Sequence, residues 1–427
     1  MNAPLLRETS ARACWKGLPN NLTGPNRDRG LREIQKGLRI LRIGFDISQT
    51  GKGKAGCGYF ADSLVRHLSE IDAENQYILY PTFGDLFWDP DWSSGTCRIQ
   101  RPNFKCGSGH KTFEAARFFW NDPLADIESH LANPDLIHAN NFFPPTKLQK
   151  ARLVYTLYDL SFLEHPEWST EQNRTGCSNG VFNASLYADH CIAISEHTKK
   201  AFLHYFPHYP EDRITVVYLG TRETLNSNMD VDLKDKVLKK FNINKEFWLG
   251  VGTIEPRKNY RLLIEAYAEL KDEKRLLVIA GGKGWFESDL GGMVKEYGIK
   301  DYVKFLGYVS DEELSALYSS CFAFIYPSFY EGFGLPVLEA MSCDAPVITS
   351  NTSSLPEVGG DAVLYINPRS KENLIEKMKL LMDHPLLIQE LRKKSKERSK
   401  IFSWNKAAEI VLKIYQETMQ TKSWFIE

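Results

Sequence analysis

FAFIYPSFYEGFGLPVLEAM, residues 322–341, decides how this chain is read. The apolar run from Phe322 to Ser328 has the length and composition of a strand buried on both faces. Gly332 and Gly334 flank Phe333 in a bend where the backbone can approach a ligand closely. Pro336 suits the first position of a helix, where its missing N–H costs nothing. Strand, glycine bend and helix in that order make the corner of a βαβ unit, and open α/β sheets bind ligands outside the carboxyl ends of their strands. Two carboxylates frame this corner, Glu331 in the loop and Glu339 about one turn into the helix. A helix mouth favours anions, whereas two carboxylates repel a bare phosphate. A ligand suited to both must offer hydroxyls to the carboxylates and phosphate to the amides. A nucleotide sugar does so, with its ribose, diphosphate and hexose. Cations come from VGTIEPRKN, residues 251–259, where Arg257 and Lys258 precede Asn259, a candidate N-cap of the next helix.

Around this corner the second half of the chain alternates regularly. FWLGVGT, RLLVIAGG, DYVKFLG, APVITSN and AVLYINP read as further strands. NYRLLIEAYAEL and SDEELSALYSS read as helices, the second with a Ser310–Glu313 capping box. The first half opens with LRIGFDIS, a glycine-rich loop QTGKGKAGCGY and the helical pattern FADSLVRHL, again the start of a nucleotide-type βαβ unit. QYILYP, DLIHAN, RLVYTLY, HCIAIS and ITVVYLG are its other candidate strands, while residues 83–133 show many aromatics and few clear periods. Strands alternating with helices imply parallel sheets covered on both faces. The predicted fold is α/β, with two doubly wound Rossmann-like domains facing a cleft. Residues 1–37 read as a disordered polar extension, 38–225 as the first Rossmann-like domain and 226–402 as the second, which carries the nucleotide-sugar corner. Residues 403–427 read as a C-terminal helix that packs back toward the first domain.

Composition narrows the function. A net charge of −1 over 427 residues argues against a protein that coats nucleic acid. Eight cysteines without a CxxC pair fit reduced thiols in a cytoplasmic protein better than a zinc site or a disulfide framework. No apolar run reaches the ~20 residues of a membrane span. No cluster of oxygen ligands has metal-binding spacing, so neither a metal nor a cofactor is expected.

EGFGLPVLEAMSCDAPVITSNTSSLPEVGGDAVLYINP, residues 331–368, resembles the donor-site signature of retaining glycosyltransferases of family 4, which have the GT-B fold. VGTIEPRKN, FLGYVSDEELSALYSSC and FSWNKAAEIVLKIY are similar to other segments of that family. The subgroup most resembled adds mannose and related hexoses to bacterial surface polysaccharides. The resemblance implies a GDP- or UDP-linked hexose as co-substrate and a glycan or lipid-linked glycan as acceptor. It implies that Glu339 binds the ribose hydroxyls and that Glu331 faces the donor sugar. Gly332, Phe333, Gly334 and Leu335 would hold sugar hydroxyls or phosphate oxygens through their amides. Arg257 and Lys258 would neutralise the leaving diphosphate, with Gly56 and Gly58 closing over it from the first domain. Tyr308 and Val309 would lie near the base, with Thr253 on the donor side. Asn140 and Asp159 would face the cleft from the acceptor side, and His138, after an apolar run, reads as a strand-end packing residue or an acceptor-side cleft residue rather than a metal ligand.

Three positions depart from the family pattern: Tyr158 where His is frequent, Tyr59 where Arg is common, and Thr253 where a basic residue is common. The Tyr158 departure keeps open a nucleotide-sugar-binding scaffold without transfer, and a GT-B-like epimerase or phosphorylase is a separate alternative. Weaker signals have plainer readings. Asp89–Asp91 reads as a turn rather than a metal-binding DxD, and the Gly281–Gly284 cluster as a turn. His165 reads equally as an acceptor contact or a loop cap. HTKKAFLHYF, residues 197–206, reads as a solvated helix face, with peripheral contact to anionic lipid as the competing reading.

Overall fold

The computed structural model of the chain describes residues 39–51, 54, 56–84, 96–121, 126–146, 148–225, 229–282, 284 and 289–424. The expected extension over residues 1–37 and the Asp89–Asp91 turn lie outside these residues.

Strands β1 (Arg42–Asp46), β2 (Gln76–Tyr80), β3 (Phe104–Cys106), β4 (Leu136–Ala139), β5 (Arg152–Leu157), β6 (His190–Ala193) and β7 (Ile214–Val216) form one sheet. Its order is β3-β2-β1-β4-β5-β6-β7. Strands β8 (Glu246–Val251), β9 (Arg275–Ala280), β10 (Val303–Gly307), β11 (Ala323–Tyr326), β12 (Val347–Ser350) and β13 (Leu364–Ile366) form a second, ordered β10-β9-β8-β11-β12-β13. All pairings in both sheets are parallel. Strands β4, β6, β11 and β12 are buried at every position, as continuous apolar runs require when helices cover both faces.

Both sheets reverse their strand order beside their first strand. Strand β1 lies between β2 and β4, and β8 between β9 and β11. Such reversals open a crevice at the carboxyl ends of the strands, and the segments after β1, β8 and β11 emerge there. The stretch that periodicity left unassigned contains β3 and the helix Phe113–Asn121. Only Phe104 of β3 is buried, so β3 has no alternation to detect.

The final helix, Trp404–Gln420, returns to the first sheet. The Trp404 ring meets Phe60 edge-on at 5.8 Å, and its Nε1 donates to the Thr221 carbonyl at 3.0 Å. A Cβ on Gly220 would lie 2.6 Å from Trp404, so only glycine fits this crossing. Ser310 and Glu313 form the expected capping box at the start of the helix Asp311–Ser320.

Candidate functional site

After β11 the chain turns through residues 327–334 into the helix Leu335–Ser342, so Pro336 occupies its second position rather than its first. Gly334 takes a φ of +104°, a conformation that side chains disfavour, and a Cβ there would lie 2.8 Å from Leu355. A Cβ on Gly332 would lie 2.2 Å from the Tyr158 carbonyl oxygen and 2.9 Å from Asp159. Glycine therefore lets the bend press against the loop after β5. The Thr198 hydroxyl lies 3.2 Å from the Tyr158 carbonyl and 3.3 Å from the Gly332 carbonyl. A second bridge lies beside it. The Glu357 carboxylate accepts the backbone N–H groups of Glu196 and His197, each at 2.8 Å, at the mouth of the helix Glu196–Tyr205.

Glu331 is enclosed by cations. Its Oε1 accepts from Lys258 Nζ at 2.7 Å and from the Ser328 hydroxyl at 2.6 Å, and its Oε2 lies 2.8 Å from Arg257 Nη1. Arg257 Nη2 also meets Glu255 at 2.6 Å, and Lys258 donates to the Tyr326 hydroxyl at 2.5 Å. Burial pushes the Glu331 carboxyl upward, but Arg257 and Lys258 outweigh it and hold the group at about 2. Burial and the neighbouring Arg257 lower the Lys258 ammonium, with Glu331 partly restoring it. Two cations and two carboxylates thus form a balanced buried cluster, and neither cation stands unpaired. The short 3₁₀ turn Pro256–Lys258 presents both cations. Asn259 takes a left-handed φ of +57° and makes no side-chain cap, contrary to the sequence expectation. Its Nδ2 instead donates to the carbonyls of Pro327 at 3.0 Å and Pro368 at 2.8 Å, stapling this turn to the loop after β11.

Glu339 is 1% exposed and differently placed. The Tyr318 hydroxyl donates to its Oε2 at 3.3 Å. Arg222 Nε lies 2.7 Å from Oε1 in a charge-assisted contact. Oε1 therefore meets the Arg222 guanidinium, while Oε2 takes the Tyr318 hydroxyl. Burial raises the Glu339 carboxyl above its usual range, and Arg222 only partly offsets this. Arg222 also stacks over the Tyr59 ring at 4.1 Å and meets Asp311 Oδ1 at 2.6 Å. The sequence reading passed over Arg222, which lies in a polar connecting stretch with no periodicity.

The remaining candidates separate into two groups. Tyr308 is 79% exposed, Thr253 is exposed, and Val309 and Leu335 are half-buried against the core. Gly56 opens the helix Gly56–Ile71 with empty space where a Cβ would stand. Gly58 is buried, and a Cβ there would lie 2.1 Å from the Gln49 carbonyl. The Phe333 ring is buried near Tyr218 and Phe402, which leaves only its backbone for a ligand. Asp159 is half-buried opposite Gly332, and its charge reaches Arg257.

His138 and Asn140 are both buried with their side-chain groups engaged inside the fold, so His138 takes the packing role rather than an acceptor contact, and the expectation that Asn140 faces the cleft is corrected. Both His138 ring nitrogens are engaged, one with the Tyr415 hydroxyl at 2.6 Å and one with Thr156 at 2.8 Å. Burial lowers this histidine to about 3, so it packs as a neutral ring. The Asn140 amide donates to the Asp46 carbonyl at 3.1 Å and accepts from Thr156 at 3.0 Å. Tyr158 is likewise a packing residue, its hydroxyl donating to the Asn140 carbonyl at 2.8 Å. His165 stacks on Trp168 at 3.9 Å, and Trp168 on Phe329 at 6.0 Å, so an aromatic row links the two halves. Gly281 touches the loop after β8, where a Cβ would lie 1.9 Å from the Gly252 carbonyl.

A cavity of about 380 Å³ lined by Glu246, Arg275, Phe322 and Arg392 lies at the opposite, amino ends of β8, β9 and β11. Arg275 is already paired with Glu246 at 3.1 Å, and Arg392 donates to the Asp344 and Cys321 carbonyls. Position and charge both favour the Glu331–Glu339 corner as the site. Among the described residues, no group of three or more His, Cys, Asp or Glu is placed to hold a metal ion, and no helix is long and apolar enough to cross a membrane.

Known proteins resemble the chain along most of its described length. Residues 56–224 match the family model described as Glycosyltransferase Family 4, and residues 234–401 match Glycosyl transferases group 1. O-antigen chain mannosyltransferase B of Escherichia coli is 36% identical over 237 residues, 55% of this chain and 61% of that protein. O-antigen chain mannosyltransferase RfbU of Salmonella typhimurium is 33% identical over 175 residues, 40% of this chain and 46% of that protein. The chain thus spans less than two thirds of the length of these relatives. Sucrose-phosphate synthase from Thermosynechococcus elongatus has a similar structure, with a TM-score of 0.67 at 20% identity, covering 90% of this chain and all of that one. Anabaena HepE, solved with UDP and glucose, has a TM-score of 0.68 at 18% identity, covering 88% of this chain and all of that one. Over its two matched segments the chain belongs to the family 4 and group 1 glycosyltransferases, built on the GT-B fold.

Proposed function

We propose that the chain is a retaining glycosyltransferase. It moves mannose or a related hexose from a GDP- or UDP-linked donor to a glycan or lipid-linked glycan acceptor in surface polysaccharide synthesis. The observation that carries this reading is the unlike pair of carboxylates at one helix mouth. Glu331 is locked by two cations, Arg257 and Lys258, while Glu339 Oε1 faces the single Arg222 guanidinium and keeps acceptor sites for a hydroxyl. A ribose hydroxyl is the kind of group that such an oxygen accepts. The relatives named above, mannosyltransferases of O-antigen synthesis, support the choice of sugar and pathway class.

In this reading Glu331 does not bind sugar alone. Its oxygens are engaged, and its part is to fix Arg257 and Lys258 in place before the donor arrives. The sugar–phosphate bond then breaks with its electron pair moving to the diphosphate, where the two cations stabilise the growing charge. The acceptor hydroxyl attacks the anomeric carbon from the face that the diphosphate leaves, and a phosphate oxygen takes its proton. Configuration is retained, and no protein nucleophile is consumed. Asp159, opposite Gly332 and with its charge reaching Arg257, is the acceptor-side residue assigned to this chemistry. Proton NMR of the product formed from GDP-mannose or a UDP-hexose with a mannose-ended oligosaccharide tests the reading. A one-bond carbon–proton coupling at the anomeric centre of the same α or β class as the donor's is expected, and one of the opposite class overturns retention. No transfer from any donor, at a purity where the donor binds, overturns the enzyme reading.

A further inference from the structure

We propose that Arg222 is a positioning residue for the donor's ribose end, fixing the Glu339 carboxylate and tying it to the first half of the chain. This rests on the donor reading above. Arg222 follows β7 on the segment between the two sheets, yet its guanidinium reaches three separate elements. Its face lies on Tyr59 of the helix Gly56–Ile71, and Nη1 meets Asp311 at the start of the helix Asp311–Ser320. Its Nε edge lies against Glu339 of the helix Leu335–Ser342. Asp311 is held in turn by the Thr224 hydroxyl at 3.1 Å. Only a planar fork with a stackable face satisfies a ring and two carboxylates together.

The contact with Glu339 is a charge-assisted ion pair at 2.7 Å. Arg222 therefore favours the ionised carboxylate, whose remaining lone pairs are open to hydroxyl donors. An ionised carboxylate accepts two ribose hydroxyls, whereas a protonated one places a hydrogen where a hydroxyl must donate. The groups facing Glu339 are Arg222, Asp311, Tyr318, Tyr59 and Cys343. Among them Arg222 supplies the positive charge, and Asp311 opposes ionisation. Without Arg222, only the Tyr318 hydrogen bond opposes burial and Asp311, and the carboxyl moves further up.

Calorimetric titration of GDP and UDP into wild type, Arg222→Gln, Arg222→Lys and Glu339→Gln between pH 5.5 and 8.5 tests the proposal. Circular dichroism first establishes that each variant is folded. The affinity of each variant is divided by that of wild type at the same pH, which cancels titration of the diphosphate itself. For Arg222→Gln the ratio is expected to fall on the order of tenfold per pH unit on the acid side of the new midpoint. Arg222→Lys, which keeps the charge, should lose affinity evenly at all pH. Glu339→Gln should be weak throughout, with no recovery at high pH. A flat ratio for Arg222→Gln overturns the inference while leaving the donor reading intact. Binding of neither nucleotide to wild type overturns the donor reading and the inference with it.

Discussion

Replacing Glu331 with glutamine keeps the shape of the side chain and removes the charge that two buried cations face. The carboxylate lies 2.8 Å from Arg257 and 2.7 Å from Lys258, and it sits at about 2 instead of the ordinary 4.5. That displacement corresponds to about 3 kcal/mol of preference for the ionised over the neutral group, in line with the ~3–5 kcal/mol cost of removing one partner of a buried pair. The sign follows from linkage. Between pH 2 and 4.5 the unfolded chain binds more protons at this group than the folded one, so its stabilisation rises with pH through that window. It is complete above 4.5 and lost as pH falls through 2. Urea unfolding followed by tryptophan fluorescence at pH 7 should show Glu331→Gln destabilised by about 3 kcal/mol, with the gap closing to about 1 kcal/mol near pH 3. A difference below about 1 kcal/mol at pH 7, or one independent of pH, would refute the balanced-cluster account.

Three other perturbations probe different parts of the site. Arg257→Ala or Lys258→Ala should lower turnover by about 10²- to 10³-fold, the cost of losing one preorganised donor, and wild-type turnover in either would remove that residue from the mechanism. Gly332→Ala places a methyl 2.2 Å from the Tyr158 carbonyl, so the variant should stay folded but scatter X-rays as a more open particle with reduced activity; an unchanged scattering profile would contradict that contact. His138 sits at about 3 against an ordinary 6.5, so the unfolded chain binds its proton more readily and stability falls as pH drops from 6.5 toward 3. His138→Gln should flatten that acid limb and leave the acceptor KM unchanged, and a raised acceptor KM would return His138 to the cleft.

The second half of the fold was legible because each of its devices is local. The strand before Pro327, the glycine bend, the Ser310–Glu313 box and the Arg257–Lys258 turn all lie within a few residues of sequence. The features that were missed or left open depend on distant partners. His138 stands at a strand's carboxyl end, where ligand contacts are expected, but Tyr415 arrives from the last helix to occupy its ring nitrogen. Asn140 is spent in the same way on Asp46 and Thr156. Asn259 has the composition of an N-cap, yet two proline carbonyls claim its amide. Arg222 gave no local signal, because its partners lie 89 residues away at Asp311 and 163 away at Tyr59.

The central claim is that the corner between Glu331 and Glu339 receives a nucleotide sugar. Thermal unfolding of the wild-type chain and of Glu339→Ala, with GDP-, UDP-, ADP- and dTDP-sugars in turn, tests it most directly. A ligand at 100 times its Kd should stabilise the folded protein by about 2.7 kcal/mol and raise the melting temperature measurably. The account predicts stabilisation by GDP- or UDP-linked hexose in wild type and its loss in Glu339→Ala. Equal stabilisation of the two proteins, or none by any of these sugars, would contradict it.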